Sequence, residues 1–134
     1  MGESDVSVVK VKDVLLVTLP STPSDKTIDN LQERALRSMK DHNPEGVVID
    51  ISLVGTVDSF FARTMEETAQ MISLMGGRTV VAGMQPSVAV TATELGLGFG
   101  QAYTALSVEH ALDIFSSLDL TKAIDSGNKN EHGT

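Results

Sequence analysis

The sequence predicts an α/β fold, in which a mixed sheet of about five strands is covered by about four helices in a single domain. The chain has 134 residues, and 41% of them are hydrophobic, which suits one domain with its own core. Short β-branched runs alternate with segments whose apolar residues recur every three or four positions. Such alternation is typical of parallel strands joined through helices.

The first half of the chain is predicted to hold a hairpin, a helix and a buried strand. Asp13 divides the apolar stretch 6–19 into two short strands. Ser24-Asp25 begins a helix and Asn43-Pro44 ends it. The apolar face of that helix comprises Ile28, Leu31, Ala35, Leu36 and Met39. The β-branched run 47–51 is then predicted to be a strand buried on both faces.

A second helix is predicted to start at Asp58, which stands at the N-cap position, and to place Ser59 in its first turn. Gly76-Gly77 ends this helix. Its predicted buried stripe comprises Phe61, Met65, Thr68 or Ala69, Ile72 and Met75.

The last third is predicted to add two strands and two helices. Residues 79–84 form a buried strand, and Pro86 opens a helix that runs to about Leu95. A short strand follows near 102–106, and Ser107 caps a final helix. The apolar stripe of that helix comprises Val108, Ala111, Leu112 and Phe115.

Composition excludes several classes of function. The net charge is −8 and the 10 Lys and Arg residues are scattered, so nucleic acid and anionic membrane surfaces are not expected partners. No apolar run approaches the roughly 18 residues of a membrane helix, and the acidic N-terminus lacks the order of a signal peptide. Cysteine is absent, which excludes disulfides and thiolate metal sites and suits the cytoplasm.

Candidate catalytic, metal and nucleotide sites are weak. His42, His110 and His132 have no partner ligand at a suitable spacing, and no nucleophile–base pair is identifiable. The glycine-rich stretch 96–100 follows a helix rather than a strand, and so does not match a dinucleotide-binding fingerprint. We therefore expect a protein that is not an enzyme and that uses no metal or cofactor.

The segment 55–61 is more informative. It places Asp58 and Ser59 at a helix start, where free backbone N–H groups and the helix dipole favour a phosphate. Phe60 and Phe61 follow directly and cannot easily both point inward. A plain N-cap and a modifiable serine both remain open on these residues alone.

The order of these motifs resembles the STAS domain, the domain of bacterial anti-sigma-factor antagonists, and in particular its stressosome branch. The motifs are Val47-Val48-Ile49-Asp50, Asp58-Ser59-Phe60, Ser73-Leu74-Met75-Gly76, Gly83-Met84-Gln85-Pro86-Ser87-Val88-Ala89-Val90-Thr91 and Glu94-Leu95-Gly96. The resemblance covers about residues 6–118. Residues 1–5 and 119–134 are predicted to be flexible termini, since the tail from about Ile124 carries no apolar periodicity. Where sporulation-type antagonists usually have Asp-Ser-Ser-Gly, this chain has Phe60-Phe61 in the last two places.

The resemblance implies a cytoplasmic stressosome scaffold in which Ser59 is phosphorylated and Asp58 is the cap beside it. Its implied partners are a STAS-domain sensor paralogue, a serine/threonine switch kinase and a phosphatase, within a large hetero-oligomer. Phosphorylation of Ser59 would help to release the kinase. The partner-binding surface is expected to comprise Thr56, Phe60, Gln85, Pro86 and Ser87.

One alternative is a small-ligand or nucleotide-binding STAS module. The helix starts at Ser59 and at Gln85-Pro86-Ser87 would then together form an anion cradle.

Overall fold

The computed structural model describes residues 6–96, 100 and 102–117, which form a five-stranded sheet with helices on both faces. The strands are β1 (Ser7–Val11), β2 (Val14–Thr18), β3 (Gly46–Asp50), β4 (Arg78–Ala82) and β5 (Tyr103–Ala105). The helices are α1 (Asp25–His42), α2 (Ser59–Leu74), α3 (Pro86–Glu94) and α4, helical over the described residues 108–117. The predicted fold class is confirmed. The predicted flexible termini and His132 lie outside the described residues.

The strands are ordered β1-β2-β3-β4-β5 across the sheet. β1 pairs antiparallel with β2, as the predicted hairpin requires, and β2 to β5 run parallel. The hairpin turns at Lys12-Asp13, where Lys12 has a φ of 56°. Because each parallel pair is joined through a helix, α1, α2 and α3 all begin at the carboxyl edge of the sheet and return to its amino edge.

The two faces of the sheet are covered unequally. α1, α2 and α3 cover one face, over a core that includes Leu31, Val47, Ile49, Phe61 and Met65. α4 covers the other face, over a smaller cluster. That cluster comprises Val14, Val48, Val80, Ala82, Ala105, Ala111 and Phe115. β3 therefore alternates between two apolar environments, which explains why its β-branched run carries no polar face.

The helix termini agree with the capping residues in the sequence. The Ser24 hydroxyl accepts a hydrogen bond from the backbone N–H of Thr27 at 3.1 Å, and α1 ends at Asn43 in the left-handed conformation. The predicted burial of Met75 is wrong, since its side chain is 40% exposed. α2 ends at Leu74 and Met75 is its C-cap, so the chain leaves the helical path before the apolar stripe comes round again.

The later elements also match their predicted positions, with β4 ending earlier than expected. β4 stops at Ala82 because Gly83 turns the chain with a φ of 78°. Gly96 follows α3 with a φ of 73°, which confirms a helix-ending role for this glycine; 97–99 lie outside the described residues. The Ser107 hydroxyl accepts from the backbone N–H of His110 at 3.1 Å and caps α4.

α4 reaches the sheet only because Gly46 has no side chain. A Cβ at Gly46 would overlap the Phe115 ring and the backbone oxygen of Arg78. Phe115 is 3% exposed and belongs to the smaller core cluster. The glycine at the start of β3 thus sets how closely the only described helix on this face can pack.

Thr79 suggests a stabilising substitution. Its hydroxyl is buried and, within the described part of the chain, has no hydrogen-bond partner. A buried polar group without a partner costs free energy, whereas a similarly shaped apolar group does not. We expect Thr79→Val to raise the free energy of unfolding by about 1 kcal/mol, measured by urea denaturation.

Thr68→Val is the matched control for that measurement. The Thr68 hydroxyl is also buried, but it donates to the Thr64 carbonyl at 2.7 Å and accepts from the Gln32 amide at 2.9 Å. Its loss should lower the free energy of unfolding by about 1 kcal/mol. A Thr79→Val protein less stable than wild type would contradict the interpretation of Thr79.

Candidate functional site

The candidate site lies at the carboxyl edge of the sheet, on the connection from β3 to α2. Ile51 and Val54 in this connection are fully buried. The backbone N–H of Ile51 donates to the Ala82 carbonyl at 2.9 Å, and that of Val54 donates to the Ile51 carbonyl at 3.0 Å. These contacts hold the first half of the connection against the core and fix where α2 begins.

Asp58 is the N-cap of α2, as predicted. Its carboxylate accepts a hydrogen bond from the backbone N–H of Phe61 at 2.8 Å, and its carbonyl accepts the first intrahelical bond from Ala62 at 3.1 Å. Ser59 is the first helical residue, and its side chain is exposed. The N–H groups of Ser59 and Phe60 precede the first intrahelical hydrogen bond, so they are positioned to meet an anion on the Ser59 hydroxyl.

The two adjacent phenylalanines have different environments. Phe61 is 2% exposed and packs in the main core, whereas Phe60 is half-buried at its margin. The prediction that both cannot point fully inward is confirmed. Phe61 anchors the first turn of α2, and Phe60 presents part of its ring at the surface beside Ser59.

The start of α3 is tied to the same connection. The Gln85 amide donates to the Ser52 carbonyl at 2.8 Å, and the Ser87 hydroxyl lies 3.4 Å from the Gly55 carbonyl, to which it donates. Gly83 permits this approach, since a Cβ there would come within 2.8 Å of the Ser52 Cβ. The structure therefore brings the β3–α2 connection and the start of α3 together at the carboxyl edge of the sheet.

The predicted surface residues differ in exposure. Thr56, Pro86 and Ser87 are exposed, whereas Phe60 and Gln85 are half-buried. Two further apolar side chains are exposed nearby in the chain, Leu53 in the β3–α2 connection and Val90 in α3, each at 57%.

The charges around this edge are mostly negative. A cleft of about 320 Å³ lies between the starts of α1 and α2, and Asp25 and Asp58 are the charged residues among those described in its lining. Arg63 lies one turn along α2 from Ser59 and is exposed. Because none of the described lining residues is a cation, they offer a phosphate no ion pair.

The structure brings no metal-binding group together in the residues it describes, where three or more His, Asp or Glu side chains nowhere converge. His42 and His110 are exposed on α1 and α4. Among the described helices, none is long and apolar enough to span a membrane.

Sequence reasoning named Gln85 and Ser87 but missed their hydrogen bonds, and it did not single out Arg63, Leu53 or Val90. The bonds from Gln85 to Ser52 and from Ser87 to Gly55 join residues more than 30 positions apart, which local patterns do not reveal. Arg63 was detectable, because a residue four positions after Ser59 faces the same side of a helix.

The comparisons with known proteins agree with this architecture. The model of the STAS domain family matches residues 5–119. RsbS of Moorella thermoacetica, solved as a serine-to-glutamate variant, is 33% identical, with a TM-score of 0.76 over 85% of this chain and 97% of that one. A chain from a structure describing the molecular architecture of the stressosome is 32% identical, with a TM-score of 0.71 over 84% of this chain and 98% of that one.

A relative from Bacillus subtilis (strain 168), the RsbT co-antagonist protein RsbRA, is 24% identical over 110 residues, or 82% of this chain. This chain spans 39% of the length of that relative. The family match covers all of the described sheet and helices, including the predicted site. By this match and by its likeness to RsbS, the chain belongs to the STAS domain family.

Proposed function

We propose that this protein is a stressosome-type scaffold that binds a STAS-domain partner and a serine/threonine kinase. The binding surface lies at the carboxyl edge of the sheet and comprises Thr56, Phe60, Gln85, Pro86 and Ser87. Phosphorylation of Ser59 weakens the hold on the kinase, and a phosphatase restores it. The protein acts through binding and catalyses no reaction itself. This role places it in the cytoplasm, within a large hetero-oligomer.

The observation that carries the proposal is the position of Ser59. It is an exposed hydroxyl at the first residue of α2, directly after the Asp58 cap, on a connection anchored by Ile51 and Val54. A kinase can therefore reach the hydroxyl without unfolding the helix. Since the cap uses Asp58 rather than Ser59, modification of the serine leaves the helix start intact.

The surface around Ser59 has the mixed character of a protein-binding site. Leu53 and Val90 expose apolar area on the β3–α2 connection and on α3, and Thr56 and Ser87 expose hydroxyl groups on the same two segments. Apolar contacts surrounded by polar groups are typical of interfaces. A partner that covered the β3–α2 connection as far as the start of α2 would reach Ser59, the side chain proposed to be phosphorylated.

Phosphorylation changes this surface mainly by charge. The γ-phosphoryl group of ATP would pass to the Ser59 oxygen, with loss of the hydroxyl proton and release of ADP. The product carries about −1.5 to −2 charge at neutral pH, beside Asp58 on a chain of net charge −8. A partner would have to desolvate that charge or withdraw, which disfavours the complex.

The relatives support this proposal by their names. RsbS and the stressosome chain are similar over nearly their whole lengths. RsbRA is named as a co-antagonist of RsbT, and the similarity covers 39% of its length. RsbS was solved with a serine-to-glutamate substitution, which replaces a neutral side chain by a negative one, as phosphorylation of a serine does.

Phosphosite mapping tests the proposal directly. The full chain is incubated with ATP and an extract of its source cells, and intact mass and peptide mass spectrometry follow. We expect one added phosphate on Ser59. Ser59→Ala should abolish it, whereas Ser87→Ala, which removes an exposed hydroxyl at the same edge, should retain it.

Absence of a phosphate on Ser59 would overturn the switch. A thermal-shift panel of nucleotides would then test the ligand-binding alternative, since a ligand of the folded state raises the midpoint with its concentration. The acidic lining of the cleft beside α2 argues against a nucleotide phosphate at that position.

A further inference from the structure

We propose that Arg63 is the intramolecular partner of the phosphoryl group on Ser59 and is the residue that positions it. This inference rests on the proposed phosphorylation of Ser59. It adds a residue on α2 to a site so far described by its cap and its hydroxyl.

The spacing on α2 places the two side chains together. Residues four apart on a helix lie on the same face, with Cβ atoms about 5–6 Å apart. Ser59 and Arg63 both belong to α2 and both are exposed. The buried face of this helix is formed by other positions, including Phe61, Thr64 and Met65.

Arg63 is available for this contact. Within the described residues its guanidinium makes no hydrogen bond or ion pair, although Glu67 follows it at the same four-residue spacing. By contrast, Arg37 on α1 is already paired with Glu33 at 2.9 Å. A free arginine beside a modifiable hydroxyl requires no existing contact to be broken.

The chemistry of the pair and the order of its two charges along α2 are both favourable. A guanidinium presents a planar fork of donors that matches phosphate oxygens. A negative group four residues before a positive one is the better of the two helical orders. The free N–H groups of Ser59 and Phe60 lie on the side of the phosphate nearer the helix start, so donors would flank it from both directions.

The consequence for the switch is twofold. Arg63 would fix the phosphate along α2, instead of leaving it free to turn away from an incoming partner. It would also cease to be a free cation at the surface, because its donors would be occupied. Phosphorylation would thus add negative charge and withdraw a positive group in one step.

The test uses the full chain with phosphoserine installed at position 59 during translation, so no kinase is needed. Titration by ³¹P NMR gives the second pKa of the phosphate, which is about 6 for an unperturbed phosphoserine. A nearby cation favours the dianion. We therefore expect Arg63→Gln to raise this pKa by about 0.3, with Arg63→Lys closer to wild type.

Two controls make the result specific. Arg37→Gln removes an exposed arginine on another helix and should leave the phosphate pKa unchanged. The effect of Arg63→Gln should also shrink in 1 M salt, since exposed charges are screened. Equal pKa values in wild type and Arg63→Gln at low salt would overturn the role of Arg63.

The outcome is independent of phosphosite mapping. A phosphate found on Ser59 with no effect of Arg63 would retain the switch and reject its positioning residue. An effect of Arg63 with no phosphate found on Ser59 would reject the switch, while the pairing would stand as a property of this helix start.

Discussion

A Ser59→Asp variant is expected to bind the kinase partner at least about 5-fold more weakly than Ser59→Ala, and the phosphorylated protein up to about 150-fold more weakly. The added charge lies beside Asp58 and next to the exposed part of Phe60, where a partner would have to desolvate it. Isothermal titration calorimetry with the purified kinase measures the difference.

Both variants should remain folded, which circular dichroism checks. An acidic residue in the first turn of a helix is compatible with its dipole, and the Asp58 cap is untouched. Ser73→Asp is the matched control, because it places the same charge on an exposed serine near the other end of α2. Equal affinities of the Ser59→Asp and Ser59→Ala proteins would rule out a charge-driven switch.

Gly46→Ala is expected to lower the free energy of unfolding by about 3 kcal/mol, at the upper end of the cost of overpacking a core. The new methyl group would overlap the Phe115 ring and the Arg78 carbonyl. The ring can give way only by lifting α4 from the sheet, and the carbonyl belongs to the backbone where β4 begins. Urea denaturation followed by circular dichroism measures the loss.

Gly55→Ala provides the comparison. A Cβ at Gly55 would meet no atom within 4 Å, so the substitution should leave stability unchanged or raise it by up to about 1 kcal/mol. If Gly46→Ala unfolded at the same denaturant concentration as Gly55→Ala, the packing of α4 described above would be wrong.

The fold was predictable because its signals are local. A β-branched run such as 47–51 has few alternatives to a buried strand, and the caps Ser24 and Asp58 mark helix starts with side chains that the structure shows accepting backbone hydrogen bonds. Met75 shows the limit of periodicity. The apolar spacing continues past the end of α2, but the chain turns before it.

The site was predictable only in part. Asp58 and Ser59 are neighbours in sequence, so their arrangement follows from the helix start alone. The hydrogen bonds from Gln85 and Ser87 to the β3–α2 connection form only when the start of α3 packs beside that connection in the folded chain. No local sequence pattern shows that these two segments lie side by side. The exposure of Leu53 and Val90 likewise emerges only from the folded chain.

The common starting edge of the helices has an electrical consequence for the whole molecule. α1, α2 and α3 begin at the carboxyl edge of the parallel strands, and α4 follows β5 at the same edge. Their backbone dipoles therefore add, with the positive ends at the edge that carries Ser59. A phosphate there would make the net charge, already −8, more negative, and its charge would oppose the positive helix ends at this edge. A partner approaching this edge through solution would therefore meet a more acidic molecule, in which the positive field of the helix starts is offset by the phosphate.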